Sequence, residues 1–103
     1  MSASDTKLGL FVPPPLHDRL RIRAGATGVG DAYAQALEDL LDALDAGEAV
    51  TFAAVRGPKK RVTVRLDPAL VARLRGRLVA RNLKITDFVC AALVRRFPET
   101  PGD

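Results

Sequence analysis

The sequence predicts a mostly α-helical domain assembled on a two-stranded antiparallel β ribbon, built from two tandem copies of one strand–helix–helix unit. Three observations predict it. In KKRVTVRLDP, residues 59 to 68, Val62, Val64 and Leu66 alternate with Arg61, Thr63 and Arg65, the period-two pattern of a strand with one apolar face. A strand alone leaves its backbone donors and acceptors unpaired, so this one needs a partner. The third observation supplies it: LGLFVPPPLHDRLRIRAGA aligns with VTVRLDPALVARLRGRLVA at an offset of 54, so that Leu8, Leu10 and Val12 fall on Val62, Val64 and Leu66.

The same alignment places Pro14, Leu16, Arg19, Leu20, Arg21, Arg23 and Ala26 on Pro68, Leu70, Arg73, Leu74, Arg75, Arg77 and Ala80. VGDAYAQAL then matches ITDFVCAAL at an offset of 56, with Asp31, Ala36 and Leu37 identical to Asp87, Ala92 and Leu93. In the second copy, Asp67 is a good N-cap and Pro68 suits the first helical position, where its missing N–H costs nothing. Leu70, Leu74 and Leu78 recur at helical spacing, with Gly76 the one weak position, at about 1 kcal/mol against alanine. Thr86-Asp87 start a second helix that turns Val89, Ala92, Leu93 and Phe97 inward and stops at Pro98. Each unit is too short to bury a sufficient core alone, and pairing the two strands under four helices solves this for both.

The expected organisation is a single domain over 1–103: a first repeat at 7–44, a connection at 45–60 and a second repeat at 60–97. The connection reaches about 50 Å when extended, so both halves can meet within one chain. Its segment EAVTFAAV is apolar enough to dock on the body. MSASD and PETPGD read as loose ends.

Composition bounds the function. Cys90 and His17 are the only residues of their types, which argues against a disulfide, a thiolate metal cluster or a histidine-based catalytic dyad. No apolar run reaches membrane-spanning length and the start lacks a secretory signature, so a cytoplasmic protein without a membrane partner is expected. Residues 1–55 carry four basic and eight acidic side chains, a net −4, and residues 56–103 carry twelve and four, a net +8. A basic half of that size suits a polyanion. The glycines of AGATGVGD lack the Lys-Ser/Thr of a phosphate loop and fit an interhelical turn. Glu38, Asp39, Asp42 and Asp45 lie on a helix exterior without histidine partners, and no catalytic residues, cofactor or metal are expected.

RVTVRLDPALVARLRGRLVARNLKITDFVCAAL resembles a ribbon-helix-helix DNA-binding unit over residues 60–97, and residues 7–44 resemble it more weakly. Two units in one chain resemble the tandem single-chain form, a pseudo-dimer found among proteins of plasmid maintenance and of conjugative or T-strand DNA transfer. The resemblance implies that the ribbon enters the major groove of duplex DNA and that its outward side chains meet base edges. Those positions are Arg61, Thr63 and Arg65 in the second copy and Lys7, Gly9 and Phe11 in the first. It also implies a phosphate at the start of each second helix, at Thr86 and Asp87 and at Gly30 and Asp31. Lys59 and Lys60, where the chain enters the ribbon, would add phosphate contacts.

The first copy departs from the pattern. Gly9 offers no side chain, Phe11 no hydrogen bond, and Pro13 stands in place of the Asp67 cap. Either the pair reads an asymmetric site mainly through the second copy, or the first copy mainly completes the fold. Phe11 could meet a thymine methyl or pack on the protein. Thr86 could act simply as an N-cap. Arg73, Arg75, Arg77 and Arg81 are expected in solvent, one or two of them near phosphate; His17 is expected at the surface, Cys90 buried, and Tyr33 in the core with its hydroxyl at the edge. The expected function is sequence-specific DNA binding, as a repressor or an accessory factor of a mobile element, by a monomeric pseudo-dimer able to pair on DNA. The alternative is a protein-interaction module whose acidic first-repeat surface binds a toxin or nucleoprotein partner.

Overall fold

Two strands, one from each half of the chain, β1 (Thr6–Val12) and β2 (Lys60–Leu66), form one antiparallel ribbon in the computed structural model, which describes residues 5–52 and 54–97. The register runs from Thr6 opposite Leu66, through Gly9 opposite Thr63, to Val12 opposite Lys60. Leu8, Leu10, Val12, Val62, Val64 and Leu66 are buried beneath it. The alternate residues, Lys7, Gly9, Phe11, Arg61, Thr63 and Arg65, are all exposed. This is the division that period-two alternation demands.

A two-stranded ribbon is marginal in water unless its apolar face is covered. Four helices cover it: α1 (Pro14–Ala24), α2 (Val29–Asp45), α3 (Pro68–Arg81) and α4 (Ile85–Arg96), with a single 3₁₀ turn, Gly25–Thr27, between the first two. The long helix α2 buries Ala32, Tyr33, Ala36, Leu37, Leu40, Leu41, Ala43 and Leu44, a stripe broad enough to meet the ribbon and the other three helices. Leu20 from α1, Leu74 from α3 and Phe88, Val89, Ala92 and Leu93 from α4 complete one contiguous core. Each large apolar side chain so buried contributes about 1.5–3 kcal/mol. Among the described residues no helix is long and apolar enough to cross a membrane.

Local chemistry sets the helix ends. Asp67 Oδ1 accepts the Ala69 N–H at 2.9 Å, with Pro68 at the first position of α3. Asn82 ends that helix in the left-handed region at φ 54°, a conformation asparagine tolerates better than most residues. Pro13 precedes α1 without any side-chain cap bond. The start of α4 differs from the expected Thr86-Asp87. Ile85 packs against the core and the Phe88 N–H reaches the Lys84 carbonyl at 3.1 Å, so the first turn begins a residue earlier. Thr86 therefore lies inside that turn rather than capping it. Of the expected loose ends at 1–5 and 98–103, residues 1–4 and 98–103, with the Pro98 stop, lie outside the described residues.

His17 corrects another expectation, for it is buried on α1 with 7% exposure. Its Nδ1 lies 2.9 Å from the Tyr33 hydroxyl, and the two rings stack with centroids 6.0 Å apart. Tyr33 is itself fully buried, so its hydroxyl sits inside rather than at the edge and needs a polar partner there. His17 provides it. Burial, and then the nearby positive charge of Lys60, lower the pKa of His17 against the opposing pull of Asp18, while burial pushes the Tyr33 phenol up. Both groups are thus neutral in the fold at neutral pH.

The unfolded chain takes up a proton at the ordinary histidine value of 6.5, which folded His17 resists, so stability is full above that pH and falls as pH drops below it until the folded group also titrates. Denaturant titrations between pH 7.5 and 5 are expected to show this decline in the wild type and its loss in His17→Asn. Tyr33→Phe, which strips His17 of its partner, is expected to cost about 1–3 kcal/mol at pH 7.5.

Candidate nucleic-acid interface

The exposed face of the ribbon is an oblong of six positions. Lys7 stands opposite Arg65 at one end, Gly9 opposite Thr63 at the centre, and Phe11 opposite Arg61 at the other end. From the first of these pairs to the last the strands advance about 14 Å, the length of roughly four base-pair steps. A cationic residue therefore stands in each terminal pair. Phe11 retains 50% exposure, so the residue is open to a ligand. Arg61 leans over the ribbon: its Nε and Nη2 lie 3.6 and 3.7 Å from where a Cβ on Gly9 would be.

The electrostatic setting of this face differs from that of the helices. Arg73 donates to Asp42 at 3.0 Å and to Asp45 at 2.8 Å, and Arg77 pairs with the same Asp45. On α4, Arg95 grips Glu48 through two bonds, one of them 2.9 Å long, and Arg96 bridges Asp39 and the Gln35 side chain, the latter at 2.8 Å. Arg77 and then Arg73, by hydrogen bonding, hold the Asp45 carboxyl below its ordinary range. Donating hydrogen bonds to Asp42 and Asp45 raises Arg73, and donating to Glu48 raises Arg95, in turn. Arg73, expected in solvent or near phosphate, is exposed and Arg77 half-buried, and both are partners of α2. The acidic run of α2 is thus largely occupied by the basic helices of the second half.

Among the described residues Lys7, Lys60, Arg61 and Arg65 make no ion pair, and all four are exposed. Lys59 is exposed as well and turns its ammonium to the Gly57 carbonyl at 3.2 Å. The positive charge left after internal pairing therefore includes a cluster on the ribbon and at the entry to β2.

The helix starts are less alike. At the start of α2, Gly30 is half-buried and Asp31 exposed; at the start of α4, Thr86 and Asp87 are half-buried. Asp87 Oδ1 accepts the Val55 N–H at 3.1 Å, so the connection is tied to this helix end. Upstream, Phe52 stacks on Phe88 with centroids 5.5 Å apart and planes inclined by 15°. The connection thus docks, and it delivers Lys59 and Lys60 to the ribbon from a fixed direction. Only the apolarity of EAVTFAAV hinted at Phe52 and Val55, and only the opposite charges of the two halves hinted at the arginine–carboxylate pairs. Cys90 is buried, with burial and then Asp87 pushing its thiol up. Among the described residues no group of three or more His, Cys, Asp or Glu is placed to hold a metal ion.

No family model matches the chain, and neither curated proteins nor solved structures give a match. The reading of this face accordingly rests on its own geometry and charge.

Phe52→Ala tests the anchoring of the connection. Removing a half-buried stacked ring is expected to cost about 1–3 kcal/mol, less than a core phenylalanine. Limited trypsin digestion is expected to cut faster at Arg56, Lys59 and Lys60, while far-ultraviolet circular dichroism keeps its helical signal.

Proposed function

We propose that this chain is a tandem ribbon-helix-helix pseudo-dimer that binds duplex DNA sequence-specifically by inserting its ribbon into the major groove. The observation that carries the reading is the exposed ribbon face, where Arg61, Arg65 and Lys7 project without ion-pair partners among the described residues, while Asp39, Asp42 and Asp45 of α2 and Glu48 beyond it are paired with arginines of α3 and α4. A groove about 12 Å wide accepts two strands, and arginine forks can donate to guanine O6 and N7 together. Thr63 adds a hydroxyl and a methyl. Lys59 and Lys60 supply phosphate contacts, as do the helix starts at Gly30 and Asp31 and at Thr86 and Asp87, through backbone N–H groups rather than carboxylates.

The strand register supports the pseudo-dimer. Gly9 and Thr63 are equivalent positions at the offset of 54, and they face each other. Exchanging the copies turns the pair Lys7–Arg65 into Arg61–Phe11, the pair at the other end of the ladder. The ladder is therefore centred as a two-fold arrangement of copies requires, while its chemistry is not symmetric. One terminal pair is Lys7 and Arg65 and the other Phe11 and Arg61, whose guanidinium leans toward the centre, which favours a non-palindromic target.

As the resemblance to the tandem family implies, the protein serves as a transcriptional repressor or as an accessory factor of plasmid maintenance or of conjugative or T-strand transfer. It acts as a binding protein rather than an enzyme. Selection of bound duplexes from a random pool, followed by titration at two salt concentrations, tests the reading. Arg65→Ala is expected to lose about 1–3 kcal/mol on the selected duplex and to relax preference at one position. Lys60→Ala is expected to weaken all duplexes alike and reduce the salt slope by about one. Unchanged affinity and preference in the double variant Arg61→Ala, Arg65→Ala would exclude readout by the ribbon; a wild type with no salt-sensitive preference for any duplex would favour the protein-partner role.

A further inference from the structure

Gly9 sits in the middle of β1, where glycine weakens a strand by its backbone freedom and by offering nothing to pack. Its backbone does not require it. The described glycines with positive φ are Gly25, Gly28, Gly47 and Gly57, all in turns or loops. Nor does crowding by backbone require it, since the atoms within 4 Å of a Cβ at this position, beyond its chain neighbours, are Nε and Nη2 of Arg61. Arg61 is not the cross-strand partner of Gly9; that partner is Thr63, and Arg61 faces Phe11. The Arg61 side chain therefore runs diagonally over the ribbon toward its centre, within the reach that diagonal neighbours allow.

We propose that Gly9 is a specificity-determining residue: by leaving the centre of the exposed face bare, it lets the Arg61 guanidinium lie low beside Thr63 and face a guanine at the middle of an asymmetric duplex site. This inference rests on the DNA-binding reading above. A single methyl at position 9 would stand at ordinary contact distance from the guanidinium and leave it in place. A branched side chain would extend into the same space and lift the fork off the centre. Gly9 and Arg61 thus act as one unit, although they belong to different copies and different strands.

The test compares Gly9→Ala, Gly9→Ile, Arg61→Ala and the double variant Gly9→Ile, Arg61→Ala on duplexes selected by the wild type from a random pool. Gly9→Ala is expected to retain the central guanine preference within about threefold. Gly9→Ile and Arg61→Ala are each expected to lose roughly 10–100-fold in discrimination at that one position, and the double variant no more than either alone. Gly9→Ile is also expected to raise the thermal midpoint, because a β-branched residue suits an exposed strand better than glycine, so misfolding does not obscure the result. If the wild type binds no duplex, the DNA reading falls and this inference falls with it. If the wild type binds selectively and Gly9→Ile keeps the preference, or if the two single losses add, the assignment of Gly9 is overturned while DNA binding stands.

Discussion

Everything in this molecule depends on the antiparallel pairing of residues 6–12 with residues 60–66. Neither strand has a neighbour in its own half of the chain, so each must find its hydrogen bonds in the other or leave them unmade. That need draws the halves together. Once paired, the strands present six apolar side chains on one side, and burying them calls for helices from both halves. Tyr33 and Leu37 from α2, Leu74 from α3 and Phe88 from α4 meet in one core. The outer side is left open by the same arithmetic: residues alternate, and whatever is not buried must face outward.

Electrostatics gives that outer face its character. The first half is acidic and the second basic, and the fold brings the acidic helix α2 against the basic helices α3 and α4, where Asp39, Asp42, Asp45 and Glu48 meet Arg96, Arg73, Arg77 and Arg95. Such exposed pairs add little stability, with about 0–1 kcal/mol typical of their kind. Their larger effect is on the field outside the molecule. They neutralise Asp39, Asp42, Asp45 and Glu48, which would otherwise repel a polyanion, and use helix arginines to do so, while the cations of the ribbon stay unpaired among the described residues. The proposal of DNA binding draws on this partition rather than on net charge alone.

Much of this was legible in the sequence because it depends on local periodicity. The strand alternation, the Asp67-Pro68 helix start and the buried leucines of α3 are short-range patterns, and the recurrence at an offset of 54 pointed to the partner strand. All six ribbon positions lie on one exposed face as alternation required. What escaped depends on contacts between distant elements. His17 looked like a surface residue because nothing near it in sequence reveals that α1 turns it toward the buried hydroxyl of Tyr33. The surface pairing of Arg73 and Arg77 was not foreseen because their carboxylates lie about thirty residues away on another helix. The lean of Arg61 over Gly9 is a diagonal relation between strands, visible only once the register is known.

The most direct measurement of the central claim is a titration of the isotopically labelled protein with a short mixed-sequence duplex at low salt, followed by amide and side-chain resonances. The account predicts that the largest shifts fall on residues 6–12 and 59–66, including the guanidinium signals of Arg61 and Arg65, with smaller ones at the starts of α2 and α4. Shifts confined to the paired carboxylates and arginines of α2, α3 and α4, or none at all, would contradict it.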